Sequence, residues 1–266
     1  MIQKLALLYH VDSWEVKLNN KKRIAIIGAT SSIAEHCARQ WAQETNVELL
    51  LVGRSASRLG IVAADLKVRA PLVEIRILEA DLIKPASIQL VVDGVFKDGS
   101  IDIALIAHGS LPSQEDCQHD LGLCQNTLEV NGVSPALFAE AFAQHMSKLN
   151  KGCIAIIGSV AGDRGRRSNY VYGAAKGLVT RYAQGLQHRF AGSGVQVTLI
   201  KPGPTNTPMT EGMDGKGKFA SPEDVAKIII AGIEKKKLVI YAPGKWQIIM
   251  MVVRHLPTFI FNKMNI

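Results

Sequence analysis

A tyrosine and a lysine lie four positions apart in the segment Tyr172-Gly173-Ala174-Ala175-Lys176. The flanking residues have helical periodicity, so we expect the phenol and the ammonium one turn apart on one helix face. A phenol ordinarily has a pKa of about 10, and a nearby positive charge favours its ionised form. The pair therefore predicts acid–base chemistry on one ligand, although an isolated match of this kind is more often an ordinary surface pair.

Two further polar residues follow apolar runs that resemble buried strands. Ser159 comes directly after the run Cys153 to Ile157, and Asn131 begins the helical stretch after the run Ile101 to Ala107. Ligands bind at the carboxyl ends of strands in a parallel α/β sheet. A hydroxyl and an amide there can hold a substrate carbonyl and a water for proton relay. We therefore predict Asn131, Ser159, Tyr172 and Lys176 as the catalytic set.

The elements that position these residues are predicted by apolar periodicity. Short continuous apolar runs indicate strands buried on both faces, hence a parallel sheet, and helix-period segments separate them. This alternation predicts a single-domain, doubly wound Rossmann fold with about seven strands and helices on both faces. We place an extension at residues 1–21, the domain at 22–243 and an amphipathic tail at 244–266. The predicted strands are Arg23 to Ile27, Glu48 to Val52, Val73 to Leu78, Ile101 to Ala107, Cys153 to Ile157, Val195 to Ile200 and Leu238 to Tyr241.

The first strand runs into a turn of small residues, Gly28-Ala29-Thr30-Ser31-Ser32-Ile33-Ala34. Gly28 permits a sharp turn, and the small side chains let a pyrophosphate approach the amides at the following helix N-terminus. Because this turn contains only one glycine, the segment taken alone fits a plain strand-to-helix turn about as well as a phosphate-binding turn.

The second strand ends at Gly53-Arg54, where an NAD-selective site places an acid for the ribose 2′-hydroxyl. Gly53 lacks that carboxylate, and the guanidinium of Arg54 can bind a 2′-phosphate. The sequence therefore favours NADP(H), with NAD(H) left open. A solvated surface arginine is the simpler alternative.

Composition limits the partners and the compartment. The 266 residues carry a net charge of +8, but the basic residues are scattered and form no nucleic-acid-binding motif, so phosphorylated small molecules or a lipid surface fit better. The four cysteines show no CxxC spacing, which favours a reducing compartment, and we predict no metal site. No apolar stretch reaches the roughly 20 residues of a bilayer span. We expect a cytoplasmic protein, peripheral at most at the inner face of the membrane.

The ordered motifs resemble those of the short-chain dehydrogenase/reductase family over Arg23 to Ile266. The glycine-rich turn, Asp81-Leu82, the four predicted catalytic residues and Pro202-Gly203-x-x-x-Thr207 fall at family spacing. The resemblance implies that Tyr172 protonates a carbonyl oxygen, Ser159 orients it, Lys176 also binds the nicotinamide ribose and Asn131 supports a water chain. The implied cofactor contacts are Gly28, Thr30, Ser31, Ser32, Ile33, Arg54, Asp81, Leu82, Ala107, Gly109, Tyr172, Lys176, Pro202, Gly203, Thr205 and Thr207.

Two segments depart from the family pattern. Ser32 and Ala34 stand where glycines are usual, a change we expect to matter little. Ala107-His108-Gly109 replaces Asn-Ala-Gly after the fourth strand, and we interpret His108 as a packing or hydrogen-bonded residue rather than a catalytic one. Family members form homodimers or homotetramers, which the resemblance also implies here.

The substrate is suggested by three arginines between Ser159 and Tyr172. Arg164, Arg166 and Arg167 can bind a sugar-linked phosphate, although a solvated basic loop is equally consistent. The segment Ala161 to Gly173 and the ending Met250 to Pro257 are similar to those of decaprenylphosphoryl-2-keto-pentose reductases, whose ketone a flavoprotein oxidase supplies. That similarity implies a polyprenylphosphate-linked keto-sugar in cell-envelope glycan synthesis. A soluble carbonyl substrate and a non-catalytic NADP-binding scaffold remain the alternatives.

Two segments near the predicted site complete the interpretation. The glycine-rich loop Met209 to Lys218 predicts a substrate lid, with Met209 in contact with the substrate. The tail from Lys245 to Ile266 carries aromatic and aliphatic residues with basic flanks, which is typical of a segment at a membrane interface. Packing on the domain or on another subunit is the simpler role for this tail.

Overall fold

The computed structural model describes residues 21–211 and 219–264. The extension predicted at 1–21 lies outside these ranges except for Lys21, and the predicted lid lies outside them from residue 212 to 218. The strands are β1 (Lys22–Ile27), β2 (Val47–Gly53), β3 (Glu74–Glu79), β4 (Ile103–Ile106), β5 (Gly152–Ile157), β6 (Val195–Pro202) and β7 (Val239–Ala242). Each overlaps one of the seven apolar runs, so the strand predictions are confirmed.

The helices lie between the strands and after the last one. They are α1 (Ser32–Trp41), α2 (Ala56–Arg69), α3 (Pro85–Phe96), α4 (Gln114–His119), α5 (Leu121–Leu128), α6 (Ser134–Leu149), α7 (Tyr170–Arg189), α8 (Pro222–Glu234), α9 (Lys245–His255) and α10 (Thr258–Phe261). A π-helical turn (Glu129–Val133) joins α5 to α6, and short 3-10 turns cover Val160–Asp163 and Pro208–Thr210.

The seven strands form one parallel sheet in the order β3-β2-β1-β4-β5-β6-β7. β1 is the third strand in this order, with Ile27 paired to Val52 of β2 on one side and to Ile106 of β4 on the other. The direction of winding reverses between β1 and β4, so the crevice for a ligand opens beyond their carboxyl ends. The predicted doubly wound fold is confirmed.

Two hydrophobic clusters cover the two faces of the sheet. One contains the buried residues of α1, α2 and α8, including Trp41, which is 1% exposed. The other contains those of α3, α6 and α7, including Phe138 and Phe142. Strands covered on both faces, such as β2 and β5, have mostly apolar sequences for this reason, whereas the edge strand β3 has no buried residue.

The last two helices run over the surface of the domain. α9 buries Met250, whereas Ile248, Met251 and Val252 remain exposed, as does Phe259 of α10. Among the described residues, no helix combines the length and apolar character needed to cross a membrane.

Candidate active site

The turn after β1 packs directly against the end of β4. Gly28 has φ +78°, and a Cβ there would lie 2.6 Å from the backbone nitrogen of His108, so only glycine fits. The amides of Gly28 and Ala29 both donate to the carbonyl of Val52. Ser31 makes no side-chain hydrogen bond to cap α1, which leaves the amides of its first turn available for an anion.

A cavity of about 450 Å³ opens beside this turn. Arg54, Ser55 and Arg58 line its far end, where a dinucleotide fold holds the adenosine ribose. Arg58 was not predicted, although its place four residues after Arg54 on the first turn of α2 was a usable signal. Glu35, which also lines the cavity, is ion-paired with Arg39 at 3.8 Å. The remaining predicted cofactor residues that line this cavity are Gly28, Thr30, Ser31, Ser32, Ile33, Leu82, Gly109 and Thr207.

Asp81 lies next to this cavity but its carboxylate has other partners. Its Oδ1 accepts from the amides of Ile83 and Lys84, and these backbone hydrogen bonds together with the Lys84 ammonium lower its pKa. The carboxylate thus caps the chain that leads into α3, while the neighbouring Leu82 and Ile83 line the cavity. The structure therefore places Leu82 at the cavity wall and Asp81 beside it.

A second cavity, of about 300 Å³, shares the wall formed by Ser31, His108 and Gly109. Ser159, Tyr172 and Lys176 all line it. Ser159 ends the loop after β5, whereas Tyr172 and Lys176 lie on successive turns of α7, with the ammonium 5.8 Å from the centre of the phenol ring. Other predicted residues that line this cavity are Ala107, Arg166, Pro202, Gly203, Thr205, Thr207 and Met209.

Burial controls the ionisation of both catalytic candidates. It raises the pKa of Tyr172 to about 12, and a hydrogen bond with Ser159 acts in the opposite direction. Burial lowers the pKa of Lys176 to about 8, and its Nζ donates to the carbonyl of Ile157 at 3.0 Å. Lys176 was expected to favour the phenolate by charge attraction, but desolvation of the phenol outweighs this attraction and raises the pKa of Tyr172 above its ordinary value. Tyr172 is therefore protonated at neutral pH.

Asn131 lies behind the wall of this cavity, in the π-helical turn. It is fully buried; its Nδ2 donates to the carbonyl of Thr127 at 2.9 Å and its Oδ1 accepts from the amide of Ser110 at 2.9 Å. A Cβ on Gly109 would lie 2.8 Å from this Oδ1. π-helical turns are frequent at functional sites. Here the turn brings the carboxamide to the strand end that carries Gly109.

His108 has one partnered ring nitrogen. Its Nε2 lies 2.7 Å from Oγ of Ser134, which itself donates to the carbonyl of Leu82, so Nε2 carries the proton. Burial lowers the pKa of His108 to about 3, and Phe138 packs edge-on against the ring. The imidazole is therefore neutral and hydrogen-bonded, in line with the interpretation drawn from the sequence.

The three arginines expected at the substrate occupy different positions. Arg166 lines the second cavity, and its buried Nε has no hydrogen-bond partner among the described residues. Arg164 lies outside that lining and donates instead to the carbonyls of Val253 and Leu256. Arg167 is exposed. Sequence reasoning also missed Trp246 of α9, which lines the second cavity.

Comparison with known proteins supports this geometry. A family model described as short chain dehydrogenase matches residues 22–216. The chain belongs to the short-chain dehydrogenase family. It is therefore an NAD(P)-dependent oxidoreductase.

Two relatives of this short-chain dehydrogenase are named as uncharacterised oxidoreductases. An uncharacterised oxidoreductase of Mycobacterium tuberculosis is 30% identical over 242 residues, which cover 91% of this chain and 96% of the relative. One of Staphylococcus epidermidis is 30% identical over 213 residues, 79% of this chain and 90% of the relative. Neither name specifies a substrate.

A solved structure is also similar over most of the chain. The short-chain dehydrogenase from Sphingobium yanoikuyae, in complex with NADPH, is 25% identical and covers 92% of this chain and 96% of its own, with a TM-score of 0.77.

Proposed function

We propose that this short-chain dehydrogenase reduces a ketone with NADPH, using Tyr172 as the proton donor. The observation that carries the proposal is a protonated phenol that lines the second cavity together with Ser159 and Lys176. The nicotinamide, when bound, supplies the hydride. Ser159 and Tyr172 hold the carbonyl oxygen, and Tyr172 donates its proton to that oxygen as negative charge develops there.

The other residues support this transfer. Lys176, near the phenol, stabilises the phenolate that remains after proton donation, and this charge attraction becomes effective only when the phenol ionises. The carboxamide of Asn131 keeps the Ser110 amide and Gly109 in place beside Lys176. We assign Asn131 to the support of the water chain that returns a proton to Tyr172.

The test is NADPH oxidation by the purified protein with a polyprenylphosphoryl 2-keto-pentose and with simple ketones. Removing a general acid typically slows a reaction by about 10²–10⁴-fold, so Tyr172→Phe should lose most of the turnover. Tyr170→Phe is the matched control, because Tyr170 is an exposed phenol on the same helix turn. Equal rates in Tyr172→Phe and wild type would contradict the catalytic role and favour a non-catalytic scaffold.

Preference for NADPH follows from the far end of the first cavity. Arg54 and Arg58 provide two guanidinium groups beside Ser55, and β2 ends in Gly53 instead of an acid. Guanidinium groups bind phosphate through paired, charge-assisted hydrogen bonds. The similar dehydrogenase from Sphingobium yanoikuyae is described in complex with NADPH. We therefore assign the 2′-phosphate to this end, with residues Gly28 to Ile33 holding the pyrophosphate.

For the substrate we propose a ketone on a polyprenylphosphate-linked sugar. Arg166 supports this choice, since it lines the substrate cavity and a guanidinium group can donate to a phosphate oxygen. A flavin-dependent oxidase of the sugar hydroxyl is the reaction class that would supply such a ketone. A soluble apolar ketone is the second candidate, which the apolar wall of Leu111, Val160 and Trp246 favours. Comparing kcat/KM for the two ketones in wild type and Arg166→Ala distinguishes them.

A lipid-linked substrate also requires contact with a membrane, and the tail offers a surface for it. Ile248, Met251, Val252 and Phe259 are exposed on α9 and α10, and no acidic residue follows Glu234, whereas six lysines and arginines do. Apolar side chains with basic neighbours bind the interface of anionic bilayers. We propose peripheral contact at the inner face of the membrane. Phe259→Ser should reduce cosedimentation with phosphatidylglycerol vesicles, whereas Leu90→Ser, at an exposed site on α3, should not.

A further inference from the structure

We infer that Arg164 is a positioning residue: it clamps the C-terminal helices to the catalytic loop so that Trp246 forms a wall of the substrate cavity and selects the ketones that fit. The inference rests on the proposed function, because it takes the second cavity as the ketone site. It gives Arg164 a different role from the phosphate contact expected from the sequence.

The clamp consists of three contacts made by one guanidinium group. Nη1 of Arg164 donates to the carbonyl of Val253 at 2.7 Å and to that of Leu256 at 2.6 Å. These carbonyls lie at the end of α9, where a helix leaves its last carbonyls without partners in the helix. The guanidinium carbon also lies 3.8 Å from the centre of the Phe261 ring on α10. Arg164 thus joins both tail helices.

The loop that carries Arg164 is itself held from the sheet side. The preceding residue, Asp163, forms an ion pair with Lys201 of β6, and its Oδ2 accepts a hydrogen bond from Tyr241 of β7 at 2.9 Å. The side chains of Asp163 and Lys201 are only 2% and 4% exposed. A buried pair is costly to break because one charge would stay unpaired. Arg164 therefore extends from a rigid base.

Trp246 is the part of the tail that enters the substrate cavity. It lies on the first turn of α9, and its indole covers Gly203, where a Cβ would come within 1.9 Å of Nε1. The helix has two attachments beyond this point, the buried Met250 and the Arg164 contacts near its end. Release of the second attachment allows α9 to tilt about Met250, which moves Trp246 away from Gly203 and widens the cavity.

The first experiment separates a clamp from a phosphate ligand by steady-state kinetics with acetophenone, which carries no phosphate. Arg164→Ala and Phe261→Ala should both raise the KM for acetophenone roughly tenfold, with kcat changed less, as expected for lost ground-state positioning. The Kd for NADPH should stay unchanged in both. Arg181→Ala, which removes an exposed arginine of α7, is the matched control. An effect confined to Arg164→Ala, with wild-type kinetics in Phe261→Ala, would overturn the clamp.

The second experiment reads the position of Trp246 without turnover. The chain has three tryptophans; Trp14→Phe leaves Trp41, which is 1% exposed, and Trp246. In that background, acrylamide should quench Trp246 more strongly after Arg164→Ala or Phe261→Ala, and Trp246→Phe supplies the baseline. Unchanged quenching in folded variants would refute the inference. The quenching measurement needs no ketone, so it tests the role of Arg164 even if the Tyr172→Phe result contradicts the proposed ketone reduction. If Arg164→Ala does not fold, Phe261→Ala provides the same test.

Discussion

The buried ammonium of Lys176 should destabilise the cofactor-free protein, and Lys176→Met tests this directly. Lys176 is 2% exposed, and burial lowers its pKa from the usual 10.5 to about 8. At 1.36 kcal/mol per pH unit, this difference corresponds to a penalty of about 3 kcal/mol at neutral pH. Methionine has a similar length and carries no charge, so it removes the penalty.

The penalty depends on pH in a definite direction. Below about pH 8 the amine is charged in both the folded and the unfolded chain, and the full penalty applies. Between about pH 8 and 10.5 the unfolded chain binds more protons than the folded one, so the free energy of unfolding of the wild type rises with pH. At pH 10 less than about 1 kcal/mol of the penalty should remain.

The variant also loses the hydrogen bond from Lys176 to Ile157, and this loss lowers the free energy of unfolding by the same amount at every pH. Without the Nζ donor, the carbonyl of Ile157 has no lysine partner, at a cost of about 1–3 kcal/mol. Lys176→Met should therefore be about 1 kcal/mol more stable than the wild type at pH 7 and about 1 kcal/mol less stable at pH 10.

Urea denaturation of both proteins at pH 7 and pH 10, without cofactor, measures this reversal. Lys67→Met is the control, because Lys67 is exposed on α2 and its substitution should change stability equally at both pH values. The reasoning is refuted if the difference between Lys176→Met and the wild type is the same at pH 7 and pH 10. The variant should be inactive in either case.

Three further outcomes are expected. Arg54→Ala should raise the Kd for NADPH by about 10–100-fold, the value of one or two charge-assisted hydrogen bonds, and leave the Kd for NADH unchanged in fluorescence titrations. Gly28→Ala should abolish NADPH binding, since its Cβ would meet the backbone of His108. By contrast, a Cβ at Gly60 on α2 meets nothing within 4 Å, so Gly60→Ala should raise the free energy of unfolding by roughly 0.5–1 kcal/mol. The value of kcat/KM for NADPH should fall as pH rises above about 8, where Lys176 loses its charge; an unchanged value up to pH 9.5 would contradict this.

The sequence determined the fold because its information is local and repeated. Strands covered on both faces must be apolar along their whole length, and each of the seven runs became a strand. The start of α8 was equally predictable, since Ser221 accepts from the amide of Asp224 as an N-cap serine does. Spacing within one helix also placed Tyr172 and Lys176 together.

Contacts between residues that are far apart in the sequence could not be predicted from such local patterns. Arg164 and Arg166 are two residues apart, yet one clamps the tail and the other lines the substrate cavity. Trp246 lies 74 positions from Tyr172 in the sequence and shares its cavity. No local pattern encodes such neighbours, because they arise only when β5, β6 and α9 are packed together.

The ionisation of Tyr172 and Lys176 likewise depends partly on the local sequence and partly on the tertiary structure. From residue types and spacing alone, a lysine near a tyrosine predicts a phenol that ionises more readily. The tertiary structure decides otherwise, because it buries both groups, which raises the pKa of Tyr172 to about 12 and lowers that of Lys176 to about 8. Desolvation depends on every atom that surrounds a group. The sequence thus determined which residues meet on one helix face, and only the folded chain decided which of them carries the proton.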